Sequence, residues 1–363
     1  MDTVFEYIKW RGDLSFDEAP FNEVDALIFS RLSYLDFRGF ASESFDEARP
    51  FSMFGKFAEE NGITYLKDKD KDLVSCASAS RRFGNAAVCG FRNEFDEELQ
   101  MQFSAVSFIL DINGKKTVCV SYRGTDSTFV GWKEDFNMSL MDTIPSQELA
   151  EDYLKDVTDN YTYPVIITGH SKGGNLAVYA GSHMNEDRLD QLISVYNFDG
   201  PGFTQKSLSY HGYSRILDRI NTFVPQSSVI GMLLKKLEEP VIIHSDERGI
   251  YQHDIYSWEI DVTEIKREDK HTFSGRVVND AFEMWLEGLD MEERDVFFGT
   301  IYDLMKDTDN STLKDFSEQK IRNSFSVLRS FTKLNDDRRR KVLEVMTKFL
   351  RMVAENIKGN INN

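Results

Sequence analysis

The segment PVIITGHSKGGNLAVYAG, at residues 164–181, constrains the fold of this chain more than any other. It opens with a short β-branched run, which is typical of a strand buried on both faces. Ser171 follows inside a G-x-S-x-G pattern, and small residues then recur at nearly helical spacing. A strand, a tight turn at a serine and a helix that can pack closely on a sheet together predict a nucleophile elbow rather than an ordinary glycine-rich bend.

Strand-like and helix-like segments alternate around this elbow, which indicates an α/β sheet. Asn113-Gly114 joins two strand-like runs and predicts a β-hairpin. The runs LISVYNF, RINTFVP and VIIH predict three further strands, and a helix is expected near residues 147–157. Residues 1–40 show helical periodicity, whereas residues 41–98 are polar and rich in phenylalanine, and they suit a cap over the sheet.

The C-terminal part of the sequence shows only helical periodicity. Asn335 is the predicted N-cap of the last helix. The basic run at residues 338–341 is interpreted as a solvated helix face rather than an interaction patch. We therefore predict an α/β domain over residues 1–290, with an N-terminal helical or cap segment over about residues 1–98, and a helical C-terminal extension over residues 291–363.

Composition narrows the possible function classes. The 363 residues carry a formal net charge of −18, which argues against a nucleic-acid-binding protein and against attraction to anionic membranes. Neither a leader sequence nor a transmembrane segment is expected, and three irregularly spaced cysteines indicate no disulfide framework. These features predict a cytoplasmic protein, with Cys119 as a core residue in a strand.

A serine hydroxyl becomes a nucleophile only when a base takes its proton. His253 is the strongest candidate for that base, because it lies in a loop just beyond the last predicted strand. His183 lies in the helix that leaves the elbow, and His211 and His271 lie in polar segments. His244 ends an apolar strand and is interpreted as a core histidine.

Four segments occur in the order seen in class 3 (fungal-type) lipases, and each resembles a motif of that family. They are VCVSYRGTDSTFVGWKEDF, ITGHSKGGNLA, VYNFDGPGF and YQHDIYSWEI. The DGPGF variant and the N-terminal sequence further resemble a bacterial branch of lipase-like proteins without an assigned function. The resemblance implies an α/β-hydrolase fold, with a mostly parallel sheet flanked by helices.

The same resemblance implies roles for individual residues. Ser171 matches the nucleophile and His253 the base, while the backbone N–H groups of Thr125 and Lys172 match the oxyanion hole. Asp135 matches a position that braces the oxyanion loop. Lys172 departs from the family's leucine, and its charge would either favour an anionic group on the substrate or pair with a nearby carboxylate.

The triad acid is missing from its usual place in the family. Gln226, Ser227 and Ser228 stand where an aspartate is expected. Asp199, directly after the preceding strand, is the nearest substitute, although it could instead cap the Gly-Pro-Gly turn that follows. Asp254 is a weaker candidate because it is adjacent in sequence to the histidine base and should point elsewhere.

These features predict a serine hydrolase that cleaves carboxylic esters, with a small-molecule ester or lipid as substrate and no metal or organic cofactor. The resemblance implies lipid substrates, namely acylglycerols, lysophospholipids or similar esters, with soluble short-chain esters or thioesters left open. The phenylalanine-rich runs FSMFGKFAEE and FGNAAVCGFRNEF would suit an apolar lid. The alternative is a catalytically impaired hydrolase fold that acts as a binding or interaction module, and the missing acid favours that alternative.

Overall fold

The computed structural model describes residues 3–126, 129–138, 141–272, 277, 280–282, 284–286, 288–306, 331 and 334–361. Its centre is a sheet of eight strands that lie side by side in chain order. The strands are β1 (Arg49–Pro50), β2 (Ala87–Asp96), β3 (Met101–Ile112), β4 (Lys115–Tyr122), β5 (Val165–His170), β6 (Leu192–Phe198), β7 (Ile220–Pro225) and β8 (Val241–Ile243). A two-stranded ribbon, β9 (Ile260–Asp261) and β10 (Glu264–Ile265), forms a second small sheet, and the residues that flank it bridge to the end of β8.

The sheet changes character at β4. Strands β1 to β4 pair antiparallel, whereas every pairing from β4 to β8 is parallel. Asn113 and Gly114 both have positive φ, at 51° and 69°, as the tight turn between β3 and β4 requires. Helices flank this sheet, so the predicted α/β-hydrolase fold is confirmed.

Helices cover both faces of the sheet. Those before the elbow are α1 (Val4–Arg11), α2 (Glu23–Leu32), α3 (Phe54–Glu60), α4 (Asp68–Ala79), α5 (Arg81–Gly84), α6 (Phe129–Asn137) and α7 (Pro145–Asn160). Those after it are α8 (Lys172–His183), α9 (Gln205–Leu208), α10 (His211–Arg215), α11 (Met291–Lys306) and α12 (Asp336–Ile361). No helix in the described part of the chain is long and apolar enough to cross a membrane.

Side chains of successive residues in the central strands pack in two different cores, as the two-residue period of a strand requires. Cys119 and Ile166 lie in the core that the N-terminal helices share, and Val118 and Ile167 lie in the core under α7 and α8. The sheet is therefore buried on both faces, and Cys119 is a core residue as predicted.

The N-terminal segment differs from the predicted cap, because it also contributes β1 and β2 to the antiparallel edge of the sheet. Most phenylalanines of the two runs proposed as a lid lie in the core instead: Phe51, Phe54 and Phe83 are fully buried and Phe91 nearly so, whereas Phe57 is partly buried and Phe95 half exposed. The four buried rings pack in the same core as Phe108 of β3. Burial of such large apolar side chains stabilises the interior strongly, which explains their placement.

The C-terminal helices share a small core of their own, formed by Trp285, Leu286, Leu289, Phe298 and Val345. The predicted boundary at residue 290 falls inside this core, so the helical unit begins before residue 285. Asn335 is the N-cap of α12, since its Oδ1 accepts a 2.8 Å hydrogen bond from the Arg338 N–H. The basic run is a solvated helix face only in part: Arg340 is exposed and pairs with Asp337 one turn earlier, whereas Arg338 bonds Thr300 and Lys341 pairs with Glu292, both on α11.

Candidate active site

Ser171 lies at the sharp turn between β5 and α8. Its backbone adopts φ 60° and ψ −133°, a conformation that non-glycine residues rarely take and that is common at functional sites. The turn is also crowded, because a Cβ at Gly169 would lie 2.0 Å from the Gly173 carbonyl oxygen and one at Gly173 would lie 2.2 Å from the Tyr122 carbonyl oxygen. Both flanking positions therefore require glycine, and the serine hydroxyl is presented at the end of a buried strand.

His253 and Asp199 meet beside this turn. His253 ends a short 3₁₀ helix that follows β8, and Asp199 comes directly after β6. The His253 Nδ1–H donates to Asp199 Oδ2 at 2.6 Å, and the aspartate side chain is fully buried. This bond leaves His253 Nε2 as the proton acceptor of the ring. Asp254 instead bonds the Tyr256 N–H and pairs with Lys67.

Ser228 replaces the acid that the sequence pattern led us to expect there. Its hydroxyl donates to Asp199 Oδ1 at 2.6 Å and accepts the Gly231 N–H at 3.0 Å. Hydrogen bonds from such donors offset the cost of burying the carboxyl group. Ser228 therefore holds Oδ1 of Asp199, while His253 holds Oδ2.

His170 is a second histidine in the site, and the sequence reasoning missed its role. Its ring lies 4.5 Å from the His253 ring, centroid to centroid. Its Nε2–H donates to the His253 carbonyl oxygen at 2.8 Å, and its Nδ1 accepts from the Tyr34 hydroxyl at 3.1 Å. This arrangement requires a neutral ring, and burial together with the nearby His253 lowers the pKa of His170 well below its usual value.

We expect His170 to make the protein less stable as the pH falls below about 6.5, the pKa of an unfolded histidine. Its folded pKa is depressed, so the unfolded chain binds the extra proton and stability is lost on acidification. His170→Gln keeps a donor for the His253 carbonyl but does not titrate. The urea midpoint should drop more for the wild type than for this variant between pH 7.5 and pH 5.5; equal drops would contradict the assignment.

Thr125 is held by Asp135. The Thr125 Oγ1 lies 2.6 Å and 2.7 Å from the two carboxylate oxygens, so its hydroxyl donates to Asp135. Burial raises the pKa of Asp135 to about 6. The loop in front of Thr125 runs close to Ser171, because a Cβ at Gly124 would lie 3.0 Å from the Ser171 Cβ. Asp135 thus braces this loop beside the serine.

Lys172 pairs with a nearby carboxylate, which is the second of the two roles that the sequence suggested for its charge. Its Nζ donates to Glu134 Oε2 at 2.5 Å and to the Gln102 carbonyl oxygen at 2.6 Å, and both charged side chains are buried. Gln102 also donates its N–H to Glu134 and accepts the Asp126 N–H at its side-chain oxygen. The ammonium group is therefore committed to a buried network that ties the elbow to the loop next to Thr125.

Two cavities meet at Ser171, and Thr125 and His253 line both. The apolar cavity has a volume of about 200 Å³, and its other walls are mainly apolar side chains, namely Met138, Ile230, Leu233, Phe282, Leu286 and Phe298. The polar cavity has a volume of about 450 Å³, and its walls carry charged and aromatic side chains, among them Arg31, Lys67, Lys69, Asp246, Glu247 and Tyr256.

His244 is not the core histidine that the sequence suggested. Its side chain is one quarter exposed and lies among carboxylates, with Nδ1 2.6 Å from Glu268 and Nε2 3.1 Å from Asp246. Partial burial lowers the pKa of His244, but the hydrogen bonds to these acids outweigh burial, so the pKa is raised overall. Lys266 pairs with Glu259 at the same place, which makes this group an ion-pair cluster.

The sequence model of the family described as Mbeg1-like matches residues 77–303, more than half of the chain. The chain belongs to the Mbeg1-like family. The matched segment of this family member contains the elbow, Asp199, His253 and the charged network around Lys172. No curated protein matches the sequence at a significant level.

Two crystal structures of lipases are similar to parts of this family member. For the M37 lipase the identity is 14% and the TM-score 0.36, over 58% of this chain and 69% of that one. For the lipase from Rhizopus microsporus var. chinensis the identity is 18% and the TM-score 0.35, over 68% of this chain and 80% of that one. Such distant similarities do not reveal a substrate.

Proposed function

We propose that this protein is a serine hydrolase that cleaves carboxylic esters with an apolar acyl chain. The single observation that carries the proposal is the 2.6 Å hydrogen bond from His253 to the buried Asp199, beside a serine on a strained turn. Ser171 and Asp199 directly follow β5 and β6, and His253 ends the 3₁₀ helix after β8, so three separate segments supply nucleophile, base and orienting acid, as in serine hydrolases on other folds.

In this proposal Ser171 Oγ attacks the ester carbonyl carbon while His253 Nε2 takes the hydroxyl proton. The tetrahedral intermediate collapses, the C–O bond to the alcohol breaks, and His253 gives its proton to the departing alcohol. Water then attacks the acyl-serine with His253 again as base, which releases the carboxylic acid and regenerates the hydroxyl. Asp199 keeps the proton on Nδ1 and stabilises the imidazolium that forms in each step.

The oxyanion would be held by the backbone N–H groups of Thr125 and Lys172. Lys172 is the first residue of α8, so its N–H belongs to the group at a helix start without an intrahelical partner. In the part of the chain that the structure describes, the Thr125 N–H has no protein acceptor either. Two free donors beside the nucleophile are what acyl transfer requires.

The apolar cavity suits the acyl chain. Apolar lining removes a hydrocarbon chain from water, which favours binding by about 0.8 kcal/mol for each buried methylene group. Phe282, Leu286 and Phe298 of the C-terminal helical unit form part of this lining. We therefore assign to that unit a direct part in binding the acyl chain.

The alternative of a catalytically impaired binding module depended on the missing acid. Asp199 lies within hydrogen-bond distance of His253, and that feature no longer favours the alternative. Soluble thioesters and short-chain esters would use the same chemistry, and chain length distinguishes them from lipids.

A fluorophosphonate probe, read by intact mass, tests the proposal directly. We expect one adduct on the wild type and none on Ser171→Ala, because only an activated serine attacks the probe. His253→Ala should label at least about 10³ times more slowly, since the base is lost. Heat-denatured wild type is the control for non-specific reaction. Equal labelling of wild type and Ser171→Ala, or no labelling of either, would contradict the proposal.

A further inference from the structure

The two cavities at Ser171 differ in chemistry in a way that restricts the alcohol half of the substrate. In the part of the chain that the structure describes, the apolar cavity is the smaller and the polar cavity the larger of the two. An acyl chain in the apolar cavity directs the alcohol of the ester into the polar one. The alcohol is therefore the more hydrophilic half of the substrate.

A diacylglycerol leaving group does not fit this arrangement. Its two additional chains would lie against Lys67, Lys69, Asp246 and Glu247, and they would strip water from charged groups without replacing its hydrogen bonds. A single acyl chain esterified to a polar alcohol avoids that cost.

The charges that line the polar cavity fall into two groups. Most are paired: the Arg31 guanidinium bonds Asp70 through two nitrogens at 2.7 Å each, and Lys67 lies 2.9 Å from Asp254. Lys69 and Glu247 have no ion-pair partner among the described residues. The Lys69 ammonium and the Glu247 carboxylate are thus available to bind charged groups of a ligand.

Aromatic side chains line the same cavity as both unpaired charges. The Lys69 ammonium stands 5.6 Å from the centroid of the Tyr256 ring, and Tyr251, a residue two-thirds exposed, lies four positions after Glu247 in the chain. A carboxylate and an exposed aromatic side chain in one cavity suit an alkylammonium group, and a lysine suits a phosphate.

We propose that the substrate is a monoacyl ester whose alcohol is zwitterionic, with a phosphate group bound at Lys69 and an ammonium group bound at Glu247. This inference rests on the proposed ester hydrolysis at Ser171. It names the class of alcohol that this site releases.

The experiment compares three esters with the same octanoyl chain: a lysophosphatidylethanolamine, a lysophosphatidylglycerol and a monoacylglycerol. They carry a zwitterionic, an anionic and a neutral alcohol. We expect kcat/KM to be highest for the zwitterionic ester, by about tenfold over the neutral one, because charge-assisted hydrogen bonds form only with the former. A p-nitrophenyl octanoate assay runs in parallel and reports ester cleavage without a headgroup.

Two variants separate the two charges. Lys69→Gln should reduce the ratio of kcat/KM for the zwitterionic to the neutral ester about tenfold. Glu247→Gln should reduce the ratio of the zwitterionic to the anionic ester by a similar factor, since only the former carries an ammonium group. Lys71→Gln and Glu239→Gln are the matched controls, because both residues are exposed and neither lines the cavity. The controls should leave both ratios unchanged.

Each remaining outcome is decisive. Equal rates for the zwitterionic and neutral esters, or a preference for the anionic ester, would overturn the inference. Cleavage of the p-nitrophenyl ester with no cleavage of the three lipids would overturn it while leaving the hydrolase proposal intact. Failure of the p-nitrophenyl ester together with failure of fluorophosphonate labelling would overturn the hydrolase proposal itself.

Discussion

Asp199→Asn is expected to lower kcat for ester hydrolysis by about 10⁴-fold with little change in KM. The carboxylate accepts the His253 Nδ1–H, whereas an asparagine amide can donate to that nitrogen and hold the ring in the wrong tautomer. The same exchange in a serine protease triad has an effect of about this size. Steady-state hydrolysis of p-nitrophenyl octanoate, with fluorophosphonate labelling as a second readout, measures it.

The control for this prediction is Asp218→Asn, which makes the same chemical change at an exposed position just before β7. It should hydrolyse the ester at the wild-type rate. Asp199 is fully buried, so thermal unfolding of both variants is followed to separate lost catalysis from lost structure. A folded Asp199→Asn protein within tenfold of the wild-type kcat would show that Asp199 is not the triad acid.

The parallel strands, and the hairpin turn that precedes them, could be predicted from the sequence almost to the residue. The run LISVYNF coincides with β6, Leu192–Phe198, and the Asn113-Gly114 turn lies between β3 and β4. Strands buried on both faces read as short apolar runs, and a primed turn has a strong local signature. Both signals are local, so they survive without tertiary information.

The antiparallel edge could not be predicted in the same way. In β2 the first residues are mostly buried and the last ones alternate with solvent, and the pairing with β3 shifts between Cys89 and Arg92. That irregularity breaks the two-residue period on which strand prediction depends. The phenylalanine count was equally ambiguous, because a core and an apolar lid have the same composition.

Some residues of the candidate site could likewise be predicted from local sequence signals, and others could not. Ser171, His253 and Asp199 each follow a predicted strand, and the carboxyl ends of parallel strands meet at one edge of the sheet. Ser228 and His170 carry no such signal, because they act through hydrogen bonds that no local pattern specifies, to Asp199 for Ser228 and to the carbonyl of His253 for His170. The one available signal was the place of His170 directly before the serine.

Lys172→Met is expected to destabilise the protein by about 3–5 kcal/mol, the usual cost of removing one partner of a buried ion pair. Glu134 would remain buried without its counter-charge, and the Gln102 carbonyl oxygen would lose a donor. Urea unfolding at neutral pH measures the loss. Lys155→Met is the matched control, since its pair with Asp159 is about half exposed and screened by water, and it should leave the urea midpoint nearly unchanged.

The double variant Lys172→Met/Glu134→Gln separates the charge from the packing. A glutamine side-chain oxygen can still accept a hydrogen bond from the Gln102 or the Ser146 N–H, so most of the lost stability should return. The backbone N–H of residue 172 persists in both variants, yet the elbow is no longer tied to Gln102. Slower fluorophosphonate labelling by a restored double variant would mean that the buried lysine positions the oxyanion hole; full stability and wild-type labelling together would mean that it only stabilises the fold.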